Sequence, residues 1–259
     1  LKILRHDYFA LQKALKFCYF MRFSQVFLKD KIFIEKIINF LEIRENDVFL
    51  EVGPGNGEIT KEIIKKGAIV IAIEIDYNLF KALKEKFYLV LDKKLFLFNE
   101  DFLKFNINNL SWNKFRFFSN LPYHITHNAL FKITQNKEKF LDIHIMLQKE
   151  VADKIIKEKN YLSYLINYHF EIKELLILPP SAFYPKPKVF SSFLKLLPKN
   201  NFLEKSLEEE LFKIIKISFK NRRKKLKNIL KLVPKEYENK RPEELSLNDF
   251  INLVYALKF

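Results

Sequence analysis

Three of the four glycines in this 259-residue chain fall within five residues, Gly53, Gly55 and Gly57, in the stretch FLEVGPGNGEIT. Glycine lets backbone turn sharply and approach a ligand closely. The stretch follows the apolar run Val48-Phe49-Leu50 and leads into a helix-like segment, Glu58 to Lys66. Strand, glycine loop and helix in that order hold a nucleotide-like cofactor at the end of a parallel strand, whereas a plain tight turn needs only one glycine. The spacing departs from the G-x-G-x-x-G of dinucleotide folds, and no Lys-Ser/Thr pair closes the loop as in a P-loop. About 20 residues on, the apolar run IVIAIEI places Glu74 near its end. There a carboxylate can accept hydrogen bonds from both ribose hydroxyls. A short glycine loop with a ribose acid suits a nucleoside without a pyrophosphate, and S-adenosylmethionine is the common cofactor of that description.

Those residues need a scaffold, and the chain spells one out. Strand-like runs at 48–52, 69–75, 95–99, 115–119 and 143–147 are separated by amphipathic stretches. Continuous apolar strands between helices indicate a parallel sheet covered on both faces. Runs at 171–178 and 189–196 read as antiparallel strands at the sheet edge, and after Pro198 the pattern is helical to Phe259. The predicted fold is α/β: a doubly wound, mostly parallel, Rossmann-like sheet over residues 21–198, followed by a small all-helical domain over 199–259. Residues 1–20, basic and apolar, are expected to be an extension without a catalytic role.

In such sheets ligand groups gather beyond the carboxyl ends of the strands. Glu74, Asp101 and Asn120 fall there in order. Asp101 could accept from an adenine amino group or simply cap the segment that follows. Asn120-Leu121-Pro122-Tyr123 ends the fourth run. The Asn carboxamide oxygen can accept from an amine. Leu121, preceding a proline, is biased out of helical geometry, which frees its carbonyl. Tyr123 offers a face for stacking. Two acceptors and a ring describe a pocket for the exocyclic amine of a flipped base; alone, the tetrapeptide also reads as a strand-ending turn. The stiff segment PPSAFYPKPKV (179–189) supplies Phe183, either an opposite wall of that pocket or a core residue.

Net charge is +15, from 46 Lys and Arg against 31 Asp and Glu, which points to a polyanionic partner. Heavy use of Lys, Ile, Phe and Asn also follows from AT-rich coding, so the position of the charges matters more than their sum. Lys220, Arg222, Arg223, Lys224, Lys225 and Lys227 form the densest basic cluster. Arg222 and Arg223 fall where the helical stripe Ile215, Phe219, Leu226, Leu230 would continue, which calls for a fixed anion: RNA phosphate or an internal carboxylate. The lone cysteine, Cys18, excludes an internal disulfide framework and fits a reducing compartment. No His/Cys cluster has metal-ligand spacing, so no metal is expected, and no stretch is long and apolar enough to span a membrane. The expectation is a cytoplasmic monomer.

Nine blocks taken together resemble one family, the ribosomal RNA adenine-N6 dimethyltransferases, and within it the bacterial small-subunit type: FSQVFL (23–28), LEVGPGNGEIT (50–60), IEID (73–76), NEDFL (99–103), NLPYHI (120–125), MLQKEVADKI (146–155), PPSAFYPKPKV (179–189), FKNRRKKLKNIL (219–230) and RPEELSLNDF (241–250). The resemblance runs from about Phe23 to the C-terminus. It implies dimethylation of N6 on two adjacent adenines in the 3′-terminal hairpin of small-subunit ribosomal RNA, within the pre-30S particle. It further implies that Gly53 with its neighbours Glu51 and Gly55 holds the methionine part of S-adenosylmethionine, that Glu74 takes the ribose and Asp101 the adenine, and that Asn120 closes the site beside the methyl group. The N-terminal block, usually F-G-Q-N-F-L, lies on the cofactor in the family and maps to Gln25, Val26 and Leu28; Ser24 and Val26 depart from its Gly and Asn. Two other readings remain: the related large-subunit methyltransferase of the antibiotic-resistance type, and an RNA-binding assembly factor that has lost turnover.

Overall fold

A computed structural model describes residues 26–122, 125–200 and 203–258. Its centre is a seven-stranded sheet in the order β4-β3-β2-β5-β6-β9-β7, built from β2 (Val48–Val52), β3 (Ile69–Ile73), β4 (Leu95–Phe98), β5 (Phe115–Asn120), β6 (Phe140–Gln148), β7 (Phe170–Leu178) and β9 (Ser191–Pro198). The first five pair in parallel, while β9 runs antiparallel to both β6 and β7. A separate two-stranded ribbon joins β1 (Phe27–Leu28) to β8 (Phe183–Tyr184). The order reverses between β2 and β5, where ligands of doubly wound sheets bind.

Strand side chains alternate between faces, and each face has its own cover. Leu50, Val52, Phe117, Ile143 and Ile145 pack against α4 (Thr126–Gln135) and α5 (Lys149–Lys157). Phe49, Val70, Phe118 and Met146 pack on the other face, against α1 (Lys31–Leu41), α2 (Glu58–Lys65) and α3 (Tyr77–Lys86). Asp30 caps α1 by accepting from the Ile32 amide at 2.9 Å, and Asp76 caps α3 by accepting from Asn78 and Leu79. Gly57 opens α2 at φ +74°, and a Cβ there would lie 2.7 Å from the Phe87 ring and 2.8 Å from Leu83. This third glycine of the loop serves helix packing.

β6 begins three residues earlier than its apolar run predicts, because Asp142 is buried there against Arg116. The Arg116 guanidinium grips Asp142 with Nε at 3.0 Å and Nη2 at 2.8 Å, and reaches Asp47 at 2.8 Å through Nη1. This cluster lies where β5 begins, at the opposite end of the sheet from the glycine loop.

Beyond the sheet, α7 (Lys205–Lys220) and α8 (Leu247–Lys258) form a core with Leu207, Leu211, Ile214, Ile215 and Phe250 inside. It docks on α6 (Tyr161–His169) through Tyr164 and Tyr168. The Tyr164 hydroxyl donates to the Leu245 carbonyl at 2.6 Å, and the Leu203 amide donates to the Tyr168 hydroxyl at 2.9 Å. The expected continuation of the apolar stripe through Arg222 and Arg223 does not occur. α7 ends at Lys220, Asn221 caps it, and the chain turns before Leu226 is buried again. The run Asn-Arg-Arg-Lys-Lys has no apolar side chain to bury in a further helical turn. No helix among the described residues is long and apolar enough to cross a membrane.

Candidate active site

The carboxyl ends of β2, β3 and β5 open into a cleft whose walls include Val26, Leu28, Glu51, Gly53, Gly55, Glu74, Asn120, Leu121 and Pro122. A second hollow shares Gly53, Glu74 and Pro122 with it and extends to Ile75, Asp101 and Phe102. Residues drawn from 94 positions of sequence, Val26 to Asn120, thus meet around Gly53 and Glu74. Gln25 and Tyr123 lie outside the described residues.

The glycine loop turns at Gly53, whose φ of +68° strains any side-chain-bearing residue; a Cβ there would meet no heavy atom within 4 Å. The backbone therefore leaves open space beside it. The Gly53 amide donates to the Ile73 carbonyl at 2.9 Å, and the Gly55 amide donates to Glu74 Oε2 at 3.3 Å. Glu74 also accepts from the Asp76 amide at 2.9 Å, while Asn99 holds the Glu74 carbonyl at 2.8 Å. The loop and the acid position each other.

Glu51 and Glu74 are buried, 2% and 1% exposed. Burial pushes both carboxyls up to about 7; for Glu51 the nearby Glu74 charge adds to the rise, opposed by the hydrogen bond from Thr60 Oγ1 at 2.7 Å. No Lys, Arg or His is among the described residues of the first cleft. Two buried carboxylates that repel across an open cleft lack a cation, and a positively charged ligand supplies one. S-adenosylmethionine carries a sulfonium and an ammonium group, so the residues present fit it.

At the end of β5, Ser119 Oγ donates to the Val52 carbonyl at 2.6 Å and locks this strand to β2. Asn120 Nδ2 donates to the Val26 carbonyl at 3.0 Å, which turns Oδ1 into the free acceptor of the carboxamide. The contact uses the main chain of residue 26, so valine serves there. The start of α4 is satisfied by the Pro122 carbonyl, which accepts from the Ile125 amide at 3.2 Å and Thr126 Oγ1 at 3.4 Å. That leaves the Leu121 carbonyl outside the helix ladder. Asp101 uses Oδ1 to accept from the Leu103 amide at 2.9 Å, so it caps the following turn while facing the second hollow.

Phe183 stands elsewhere than expected. Stacking needs an open ring face, yet Phe183 is 1% exposed, packs in the core under the sheet and does not line the cleft. Its register opposite Leu28 turns it inward. Lys220, Arg222, Arg223, Lys224, Lys225 and Lys227 are all exposed on the end of α7 and the turn after it. Arg222 and Arg223 form no ion pair with a carboxylate among the described residues, so the desolvated guanidiniums anticipated from the stripe are not found. Thr60, Asn99 and Phe27 also build the site; each falls within a block of the family resemblance, but residue type and spacing alone do not separate it from an ordinary helix, turn or strand residue. No group of His, Cys, Asp and Glu among the described residues could hold a metal ion.

Parallel strands, glycine loop and paired acids define a Rossmann-like methyltransferase fold. The chain matches the structure of a dimethyladenosine transferase from Plasmodium falciparum with a TM-score of 0.75 at 24% identity, over 89% of this chain and 97% of that one. It matches the 23S rRNA methyltransferase ErmE with a TM-score of 0.73 at 22% identity, over 90% and 100%. More specifically, the chain belongs to the ribosomal RNA adenine dimethylase family, whose model matches residues 20–256. The ribosomal RNA small subunit methyltransferase A of Francisella tularensis subsp. novicida (strain U112) is 36% identical over 258 residues, covering 90% of this chain and 95% of that protein.

Proposed function

We propose that the protein transfers methyl groups from S-adenosylmethionine to N6 of two adjacent adenines in the 3′-terminal hairpin of small-subunit ribosomal RNA, acting as a cytoplasmic monomer on the pre-30S particle. The observation that carries this reading is the convergence of two buried carboxylates, an open glycine turn and a preoriented Asn120 acceptor in one cleft. Glu51 with Gly53 and Gly55 would hold the methionine part, Glu74 the ribose, and Asp101 the adenine in the adjoining hollow. When bound, the cofactor supplies an electrophilic methyl group.

The protein's own task is to make a poor nucleophile react. The lone pair of adenine N6 is delocalised into the ring. Asn120 Oδ1 and the Leu121 carbonyl, both accepting from the amine, favour a pyramidal nitrogen with its lone pair exposed. Stacking on Tyr123 fixes the base plane. Rate enhancement then comes from positioning and oriented dipoles, with no general base required. Methyl transfer leaves the nitrogen positively charged; it sheds one proton to solvent, and the proton that remains is enough for one of the two acceptors in a second round.

The helical part, residues 199–259, is the RNA-binding domain in this reading, with its exposed basic turn on the phosphates; residues 1–20 have no part in it. The large-subunit alternative is less well supported, because identity to the small-subunit relative is 36% against 22% to ErmE. Incubating the protein and labelled cofactor with unmethylated 30S and 50S subunits in parallel tests the choice. Label in 30S RNA alone is expected; label in 50S RNA alone would establish the large-subunit reading, and binding to 30S without label would leave an assembly factor.

A further inference from the structure

The ribbon β1–β8 has two faces with different fates. Leu28 pairs with Phe183, and both side chains are buried in the core. Phe27 pairs with Tyr184 one position along, and alternation puts those two rings on the opposite face. Phe27 lines the catalytic cleft so closely that a Cβ on Gly55 would lie 2.8 Å from its ring. Tyr184, its cross-strand partner, is 63% exposed, with Lys29 Nζ 5.6 Å from the ring centre.

The ribbon is anchored at both ends. Asn120 holds the Val26 carbonyl, and the Lys29 amide donates to the Ala182 carbonyl at 3.0 Å. Lys186 and Lys188, also exposed, follow Tyr184 in a segment stiffened by Pro185 and Pro187 that carries no acidic residue. None of the three lysines forms an ion pair among the described residues. An exposed ring with one lysine beside it and two more just after it in sequence, on the anchored ribbon whose Phe27 walls the cleft, matches the chemistry of single-stranded nucleic acid: bases stack on aromatic faces while lysines follow the backbone.

We propose that Tyr184, with Lys29, Lys186 and Lys188, is a stacking site for the unpaired nucleotide next to the adenine held in the cleft. The proposal rests on the RNA-methylating reading above for its choice of substrate. Its role is to hold the flanking nucleotide so that the target base can leave the stack, which makes Tyr184 a positioning residue.

Two measurements test it: steady-state methylation of unmethylated 30S subunits, and fluorescence of a single-stranded RNA oligonucleotide carrying 2-aminopurine beside the target adenines. Wild-type protein is expected to quench the fluorophore. Tyr184→Ala should lose that quenching and raise KM for the particle about 5- to 150-fold, the range of one base–aromatic stack, with kcat and cofactor affinity little changed. Tyr184→Phe should behave as wild type. Unchanged KM and quenching in Tyr184→Ala would overturn the proposal, as would a wild-type protein that never quenches, leaving the surface to a protein partner. A wild type that quenches but transfers no methyl would instead defeat the functional reading, and loss of quenching in Tyr184→Ala would still uphold the stacking site.

Discussion

Asn120 donates through Nδ2 to the backbone carbonyl of Val26 at 3.0 Å, tying the end of the central strand to the N-terminal block across 94 residues. An amide that must donate on one side can only accept on the other. The bond therefore orients the acceptor proposed for the amine and anchors the ribbon that walls the cleft.

Replacing Asn120 separates those two tasks. Asn120→Ala should lower kcat about 100- to 1,000-fold, the cost of removing one preorganised catalytic dipole. Asn120→Asp keeps an acceptor but sets a carboxylate against the Val26 carbonyl, so it too should lose most turnover. RNA affinity, resting largely on phosphate contacts, should persist in both. Single-turnover methylation beside RNA binding checks this, and a near-normal Asn120→Asp rate would contradict the orientation.

Cofactor affinity should rise with pH between about 5.5 and 7.5. Burial disfavours the charged forms of Glu51 and Glu74 and pushes both carboxyls up to about 7. An ionised Glu51 attracts the cationic methionine part and an ionised Glu74 can accept from both ribose hydroxyls, so binding tightens as they lose protons. Calorimetric titration across this range is the check. Affinity that is flat or falls would remove these acids from the cofactor site.

The same acids cost the empty protein stability. A carboxyl whose folded pKa lies above its unfolded value binds more protons when folded, so its favourable contribution is present below about 4.5 and is lost as pH rises through about 7. His144 and His169, held at about 4 and about 3 mainly by burial, have the opposite sign: their contribution is present above 6.5 and is lost as pH falls through those values. Comparing Glu51→Gln with wild type at each pH isolates the glutamate. At pH 8 the variant without cofactor should be more stable, by on the order of 1–3 kcal/mol, and should bind the cofactor more weakly. Melting curves at pH 5 and pH 8 report the first effect, and a variant less stable at pH 8 would contradict it.

Arg222 and Arg223 stand exposed on the turn after α7. Their double replacement by Ala should leave the melting temperature nearly unchanged, as surface changes do. RNA binding should weaken and its salt dependence flatten by about 1.4 to 1.8 in logarithmic slope, two phosphate contacts' worth. A lowered melting temperature with an unchanged slope would assign both residues to the fold.

The sheet and the glycine loop are legible in the chain because continuous apolar runs between amphipathic stretches admit few other arrangements. β6 is legible only in part: Asp142 breaks its apolar run, and the buried partner Arg116 that makes the charge tolerable comes from another strand. Phe183 and Tyr184 show a different limit. Adjacent strand residues face opposite ways, and a two-residue strand has no periodicity from which to tell which is which. The partner in β1 sets the register, and that pairing is written nowhere locally. The stripe through Arg222 and Arg223 misleads because spacing alone cannot reveal that a helix has already ended. The second hydrogen bond of Asn120 depends on the path of a segment far away in sequence, so its amide type is visible but its orientation is not.

The most direct test of the account is mass spectrometry of the 3′-terminal fragment of small-subunit RNA after unmethylated 30S subunits are incubated with the protein and S-adenosylmethionine. Two methyl groups on each of two adjacent adenines is the predicted product, absent when Asn120→Ala replaces the wild type. An unmodified fragment from folded protein that binds the cofactor would contradict the central claim, as would methylation at a single adenine or on another atom.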